Sequence, residues 1–320
     1  MSFIKDLEHD EMRDGFLVTS QKKKLWNVEL GCYNEFRRVC EKYNIKYFAD
    51  WGTLLGAARH KGFIPWDDDM DFTMFRPDFQ RFEEVARKEI HYPYFLDIWY
   101  ENEFDEVNAR DVINCVHIHI HDERTTALHK DFDKGTGLHQ GIMIDISPID
   151  PFPIEQVESP EEYALHARNY GVIWDMFRAC MMKKDMIEMM KDPNQRFAIP
   201  RDQLEYYLNL PLKQRGEILE KHCLAYYYEG QYARNLILGM VFATHWFRDI
   251  VYLPFEQTYV PCPIGYDELL TARYKNWHEF KIDESHLNFY SPDISYKDFF
   301  KQRNEELKQV KDTKRTWSFK

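Results

Sequence analysis

The sequence predicts an α/β protein of the α+β kind, a mixed-sheet core with an added helical layer. Three observations predict it. Apolar residues recur at three- and four-residue steps from Gln21 to Tyr43, the period of a helix. A strand, a turn, a short helix and a second strand then follow between Tyr47 and Phe79. After residue 155 the strand-like alternation gives way to helix starts and long amphipathic stretches. The expected division is a lead-in at 1–20, a catalytic domain at 21–290 with its core at 21–155 and its helical part at 156–290, and a basic C-terminal helix at 291–320.

Residues 1–20 are mixed and charged and read as a loose lead-in. In the first helix Leu25, Val28, Cys32, Phe36, Val39 and Tyr43 form one face. Lys22, Lys23, Lys24, Arg37 and Arg38 decorate the other, and Asn44 ends it. Tyr47-Phe48-Ala49 suits a strand, Trp51-Gly52-Thr53 a small-residue turn, and Leu54 to His60 a short helix broken by Gly62, Ile64 and Pro65. From Asp69 onward polar and apolar residues alternate. Asp69 and Asp71 therefore face one way, while Met70 and Phe72 turn to the core. Arg76-Pro77-Asp78 opens a helix through Phe79, Phe82, Val85 and Ala86.

Phe95–Tyr100 and Val112–Asp122 read as strands. The second places His117, His119 and His121 on one face. Such neighbours stand about 6.5–7 Å apart, so two of them, with a further ligand, suit one ion better than all three. Lining a cleft is the favoured role. Gly141 to Asp150 is a buried-looking strand with Asp145 in its middle, and a lone Asp in such a run needs a partner. Asp150, before Pro151, suits a turn cap. Ser159-Pro160-Glu161-Glu162 starts the helical part with a capping box. Further helices are expected at 203–208, 212–228 and 233–245, with the apolar block 236–247 buried in the last. The methionines between 181 and 190 are assigned to helix packing.

Composition narrows the function. A net charge of −12 opposes a general nucleic-acid binder. The six cysteines form no CxxC pair, so neither a disulfide framework nor a zinc finger is expected. No run approaches the roughly 18 apolar residues of a membrane span, and the first residues lack the apolar region of a signal peptide. A cytoplasmic location is the expectation.

The chemistry concentrates in Trp66-Asp67-Asp68-Asp69-Met70-Asp71-Phe72. Two carboxylates on one face stay ionised together cheaply only around a cation. Oxygen ligands in a pair favour Mg²⁺, with Mn²⁺ also compatible. An EF-hand loop fails, because its sixth position is Phe72 rather than glycine. The N–H groups at Gly52 and Thr53, with the helix start behind them, suit a phosphate. Arg59, His60 and Lys61 add positive charge close by in sequence. Asp67 is either an extra ligand or a supporting partner, and Asp68 points away.

The string WGTLLGAARHKGFIPWDDDMDF resembles the LicD family, which includes bacterial phosphorylcholine transferases and is related to fukutin and the fukutin-related protein. Its Gly-Thr turn followed by Asp-Met-Asp resembles the nucleotidyltransferase fold. Ile144-Asp145-Ile146-Ser147-Pro148-Ile149-Asp150 is similar to a second family string. Tyr274-Lys275-Asn276 stands where the family carries a Tyr-Gly-Asp-like string, with Gly and Asp replaced. The resemblance spans roughly residues 22–280.

It implies that Asp145 joins Asp69 and Asp71 as catalytic residue and metal ligand, and that Arg124 reaches a phosphate. It further implies a CDP-activated donor such as CDP-choline or CDP-ribitol. The acceptor would be a sugar hydroxyl of a cell-surface glycan, a lipid-linked precursor of teichoic acid or lipopolysaccharide, and CMP would be released. Transfer of a nucleotide itself is the rival activity, and a glycan-binding scaffold the rival without catalysis. Lys297, Lys301, Arg303, Lys308, Lys311, Lys314 and Arg315 give the last helix a basic face that suits peripheral contact with the inner membrane surface.

Overall fold

The computed structural model describes residues 2–101, 117–129, 139–154, 159–234, 240–282 and 287–309. It opens with a hairpin, β1 (Glu11–Arg13) and β2 (Phe16–Val18). Asp14 (φ 49°) and Gly15 (φ 80°) supply the two positive φ angles of its tight turn. The first residues are therefore no loose lead-in. Ile4 and Val18 are buried in the main core, and Arg13 grips both carboxylate oxygens of Glu256 at 2.5 and 3.1 Å. Helix α1 (Ser20–Tyr43) follows. Thr19 caps it by accepting the Lys22 N–H, and Asn44 closes it in the left-handed conformation. Lys22 and Lys23 depart from the expected solvent face: both are buried, and Lys22 donates to the Trp66 carbonyl.

The core then builds through β3 (Phe48–Ala49), α2 (Trp51–Arg59), β4 (Asp71–Phe75), α3 (Arg76–Glu89) and β5 (Tyr94–Ile98). A 3-10 turn (Trp99–Glu101) leads on, and β6 (Ile118–Asp122), β7 (Thr126–His129) and β8 (Met143–Pro151) come next. Two local expectations change. Trp51-Gly52-Thr53 is the first turn of α2 rather than a separate turn, and the alternating run becomes sheet only at Asp71. The first half of the proposed 112–122 strand lies outside the described residues.

Strand β8 is the hub of a seven-stranded mixed sheet. It runs parallel to β4, whose other neighbour is β3, antiparallel. Its first half pairs antiparallel with β6, and β6 with β5. Its last residues pair with β9 (Tyr232–Arg234), which is followed by β10 (Val241–Ala243). The expected helix at 233–245 is thus replaced, among its described residues, by edge strands and a 3-10 turn. Val241-Phe242-Ala243 gains ladder hydrogen bonds there that override helical spacing.

Alternation sorts the two faces of the central strands. Phe72, Met74, Ile118, Ile120, Ile144 and Ile146 are buried, and Tyr33 and Phe36 of α1 pack on Phe72 with ring centroids 4.8 and 5.3 Å away. Burying each such side chain stabilises the fold by about 1.5–3 kcal/mol. The opposite face carries Asp71, Asp145 and His119.

Helices α4 (Pro160–Met181), α5 (Lys183–Met189), α6 (Arg201–Asn209) and α7 (Leu212–Ala225) form the helical layer. Met181 and Met186 are buried in its packing, as expected. A buried ion network ties α7 to the sheet: Arg76 is 1% exposed and donates to both oxygens of Asp150 and to Glu220 at 2.5–2.7 Å. Asp150 is therefore an ion partner across the sheet rather than a turn cap. The chain continues with the hairpin β11 (Ile250–Phe255) and β12 (Thr258–Pro263), α8 (Tyr266–Tyr274), β13 (Leu287–Ser291) on β7, and α9 (Tyr296–Gln309). Tyr296 and Phe300 of α9 are buried with Leu128, so its apolar side is spent on β7 and not free for a surface.

Candidate active site

One row of side chains crosses the polar face of the sheet. Register places Asp97 of β5 opposite His119 of β6, His119 opposite Asp145 of β8, and Asp145 opposite Asp71 of β4. Neighbouring strands stand about 4.7–4.9 Å apart, so each functional group lies one strand spacing from the next. Asp69, in the extended segment before β4, completes a cluster. Single oxygens of Asp69, Asp71 and Asp145 all lie within 4.8 Å of one another.

Backbone contacts fix this cluster. The Asp145 N–H donates to the Met70 carbonyl at 2.8 Å, and the Asp50 N–H to the Asp71 carbonyl at 3.0 Å. The Thr53 hydroxyl accepts the Asp71 N–H at 2.9 Å. Burial pushes the Asp71 carboxyl well above the usual carboxylate range, and the negative charges of Asp69 and Asp145 push the same way. A half-buried group of like charges favours a cation, and an all-oxygen donor set fits a hard divalent ion. The three carboxylates therefore suit such an ion in both chemistry and spacing.

His119, expected to line a cleft, stands beside Asp145, and further neighbours escaped notice in the sequence. His119 Nε2 is 3.1 Å from Asp145 Oδ1. Burial pulls the His119 pKa down, but the hydrogen bond and charge of Asp145 outweigh it, leaving a net rise. Buried Arg273 of α8 pairs with Asp50 and stacks on the Trp51 ring at 3.9 Å. Trp51 itself has φ 39°, an uncommon conformation for a bulky residue and the kind of strain found at functional sites. Buried Glu29 of α1 approaches from behind. Its carboxyl is raised well above normal, first by burial and then by Asp69 and Asp68. No local pattern signals these partners, because Asp50 and Arg273 meet across 223 residues.

The other residues singled out in the sequence are placed as follows. Gly52 sits against the Asp67 carboxylate, which would overlap any side chain at that position. Asp67 thus occupies the α2 N-terminus expected for a phosphate, and shares a second acidic cluster with Asp68 and Asp69. Asp68 is buried and accepts the Leu287 N–H at 3.2 Å. Arg59, His60 and Lys61 lie at the far end of α2, about 12 Å along its axis from Trp51. The Arg59 guanidinium donates to the Trp277 and Glu279 carbonyls at 2.8 Å. His60 accepts from Arg59 and donates to Asp14, and burial lowers its pKa, so it adds no charge. Lys61 takes φ 56° in the loop, where its carbonyl accepts from Glu256. Arg124 forks onto Asp122 beyond the end of β6. The structure groups Asp69, Asp71, Asp145, Thr53, Gly52 and Asp67, and leaves Arg59, Lys61 and Arg124 apart.

The mixed sheet thus carries an Asp-x-Asp pair entering one strand and a third Asp on its parallel neighbour. Residues 44–141 match the family model described as LicD/FKTN/FKRP, nucleotidyltransferase domain. A lipopolysaccharide cholinephosphotransferase, LicD, of Haemophilus influenzae is 46% identical over 80 residues, 24% of this chain and 30% of that protein. An uncharacterized protein of Rickettsia prowazekii is 30% identical over 154 residues, 48% of this chain and 50% of its own length. The human ribitol 5-phosphate transferase FKRP is 39% identical over 51 residues, 16% of this chain and 10% of that protein. The chain thus spans half or less of the length of these relatives.

Proposed function

We propose that this protein is a metal-dependent transferase that moves a phospho-alcohol from a CDP-activated donor, CDP-choline first, to a sugar hydroxyl of a glycan precursor. The observation that carries the proposal is the convergence of Asp69, Asp71 and Asp145 in a domain similar to a cholinephosphotransferase. Mg²⁺ or Mn²⁺ held by these carboxylates would neutralise the diphosphate and favour ionisation of the acceptor hydroxyl. The acceptor oxygen attacks the phosphorus that bears the alcohol. The bond to the CMP oxygen breaks, CMP leaves with the electron pair, and the hydroxyl proton passes to a carboxylate of the cluster.

Around the cluster, the neighbouring residues take separate tasks in this reading. Thr53 holds the Asp71 backbone, His119 holds a proton against Asp145, and Arg273 with Trp51 braces the α2 start beside the cluster. Gly52, Asp67, Arg59, Lys61 and Arg124 are kept as substrate-binding residues, the last three for the outer parts of donor or acceptor. Nucleotide donors and a lipid-linked acceptor would meet at the cytoplasmic membrane face, where the charged side of α9 makes peripheral contact. Among the described residues no helix is long and apolar enough to cross a membrane.

Incubation with CDP-choline, Mg²⁺ and a glycan acceptor tests the proposal. CMP release that stops with EDTA is expected. Pyrophosphate release from a nucleoside triphosphate would instead establish nucleotide transfer, and turnover of CDP-ribitol alone would change the donor.

A further inference from the structure

Beyond Asp145, the same row runs into a second group of ligand atoms. Asp97, His119 and His121 are 4%, 6% and 1% exposed, and one ligand atom from each lies within 4.8 Å of the others. Asp97 Oδ2 is 3.4 Å from His121 Nε2 and 3.9 Å from His119 Nδ1.

Hydrogen bonding sets the tautomer of His121. His121 Nδ1 lies 2.9 Å from the Gly141 carbonyl, which only accepts, so Nδ1 carries the hydrogen. Its Nε2 then turns a lone pair toward Asp97. His119 Nε2 lies 3.1 Å from Asp145 Oδ1; with the hydrogen on Nε2, toward that carboxylate, the Nδ1 lone pair turns toward Asp97 as well. Neither His119 Nδ1 nor His121 Nε2 makes a hydrogen bond. Two imidazole nitrogens without hydrogen bonds thus face one oxygen of a buried carboxylate, the donor set of a cation site.

Protonated nitrogens would hold that oxygen differently, since charge-assisted N–H···O contacts close to about 2.7–2.9 Å. Ligand atoms each about 2.0–2.1 Å from one tetrahedral ion stand about 3.4 Å apart; Asp97 Oδ2 and His121 Nε2 have that separation, and His119 Nδ1, at 3.9 Å, reaches it with a small side-chain adjustment. Each imidazole hands its other N–H to an oxygen, as metal-bound histidines do. His139 is excluded as a ligand. Its Nδ1 accepts the Gly141 N–H at 3.1 Å, so Nε2 carries the hydrogen, and the ring walls the site beside Phe95.

We propose that Asp97 Oδ2, His119 Nδ1 and His121 Nε2 bind one divalent transition ion, zinc by donor type, with a fourth position for water. Two imidazoles and a carboxylate favour zinc over Mg²⁺. The ion locks His119 so that its Nε2–H stays on Asp145, which makes His119 a positioning residue for the third carboxylate. The site stands on its own geometry, independent of whether the protein transfers phospho-alcohols.

The full chain is stripped with chelator, reloaded with Zn²⁺ under millimolar Mg²⁺ and desalted, and its metal is counted by mass spectrometry. About one zinc per chain is expected in the wild type and in Asp71→Asn. His121→Gln and Asp97→Asn should each weaken retention at least about tenfold. Co²⁺ loaded into the wild type should give the intense visible absorption of a four-coordinate site, a readout that needs no variant to fold. Absence of both zinc and that absorption overturns the proposal. So does zinc lost in Asp71→Asn but kept in folded His121→Gln, because the ion would then sit on the acidic triad.

Discussion

Asp71→Asn separates a metal-holding cluster from a merely acidic one. Its oxygens lie within 4.8 Å of those of Asp69 and Asp145, where two full charges repel by about 3.5 kcal/mol at an effective dielectric of about 20. The raised pKa of Asp71 points the same way, since burial and then the charges of Asp69 and Asp145 disfavour its ionised form. Metal-free Asp71→Asn should therefore gain about 1 kcal/mol. With Mg²⁺ the order reverses. At about a hundredfold excess over Kd, the ion stabilises the wild type by about 2.7 kcal/mol. For 320 residues at about 2.1 cal/mol/K each, that raises Tm by about 4 °C. Thermal melts across a Mg²⁺ titration measure it. The wild type should climb by that amount, while Asp71→Asn stays flat and loses CMP release. A Mg²⁺ shift in Asp71→Asn equal to that of the wild type would refute the reasoning, since the ion would bind elsewhere.

Three further outcomes are expected. Arg76→Met strands Asp150 and Glu220 without their buried partner and should cost about 3–5 kcal/mol in urea denaturation; a cost below about 1 kcal/mol would show the network to be dispensable. Lys275 takes φ 61° and ψ −100° at the end of α8, so Lys275→Gly should raise stability by about 1 kcal/mol, read as a higher Tm. Glu89 is held at about 2, down from 4.5, by its bonds to Lys42, Tyr43 and Arg38, so its contribution is complete above pH 4.5 and is lost as pH falls toward 2. Melts at low salt should show the wild type losing its margin over Glu89→Gln across that interval, and added salt should shrink the difference.

What the sequence revealed follows from the range of the forces involved. The 21–43 helix was legible because its period and its Asn44 cap are local. The Asp69–Asp71 pair was legible because a two-residue repeat fixes a shared face. Asp145 showed itself as a carboxylate in an apolar strand, although its register with Asp71 belongs to the folded sheet. The 233–245 stretch misled because three-residue edge strands carry too little pattern to compete with apolar spacing. The distance of Arg59, His60 and Lys61 from the acidic run was not legible either. Adjacency in sequence suggested a joint role, but the helix carries them to its far end. Asp97 was invisible as a ligand, since nothing near it in sequence announces His119 or His121.

The hub position of β8 separates the stretch by which relatives are recognised from the unit that folds. The family match covers residues 44–141 and stops just before β8 begins at Met143. It also leaves out α1, whose Tyr33 and Phe36 cover Phe72. Cut out at those borders, β4 would keep only the two-residue β3 as a neighbour, and β6 only β5. Two of the three carboxylates would remain, without the strand that brings them the third. Borders drawn by similarity therefore mark where ancestry is densest. The borders of a working fragment follow the strand that everything else leans on.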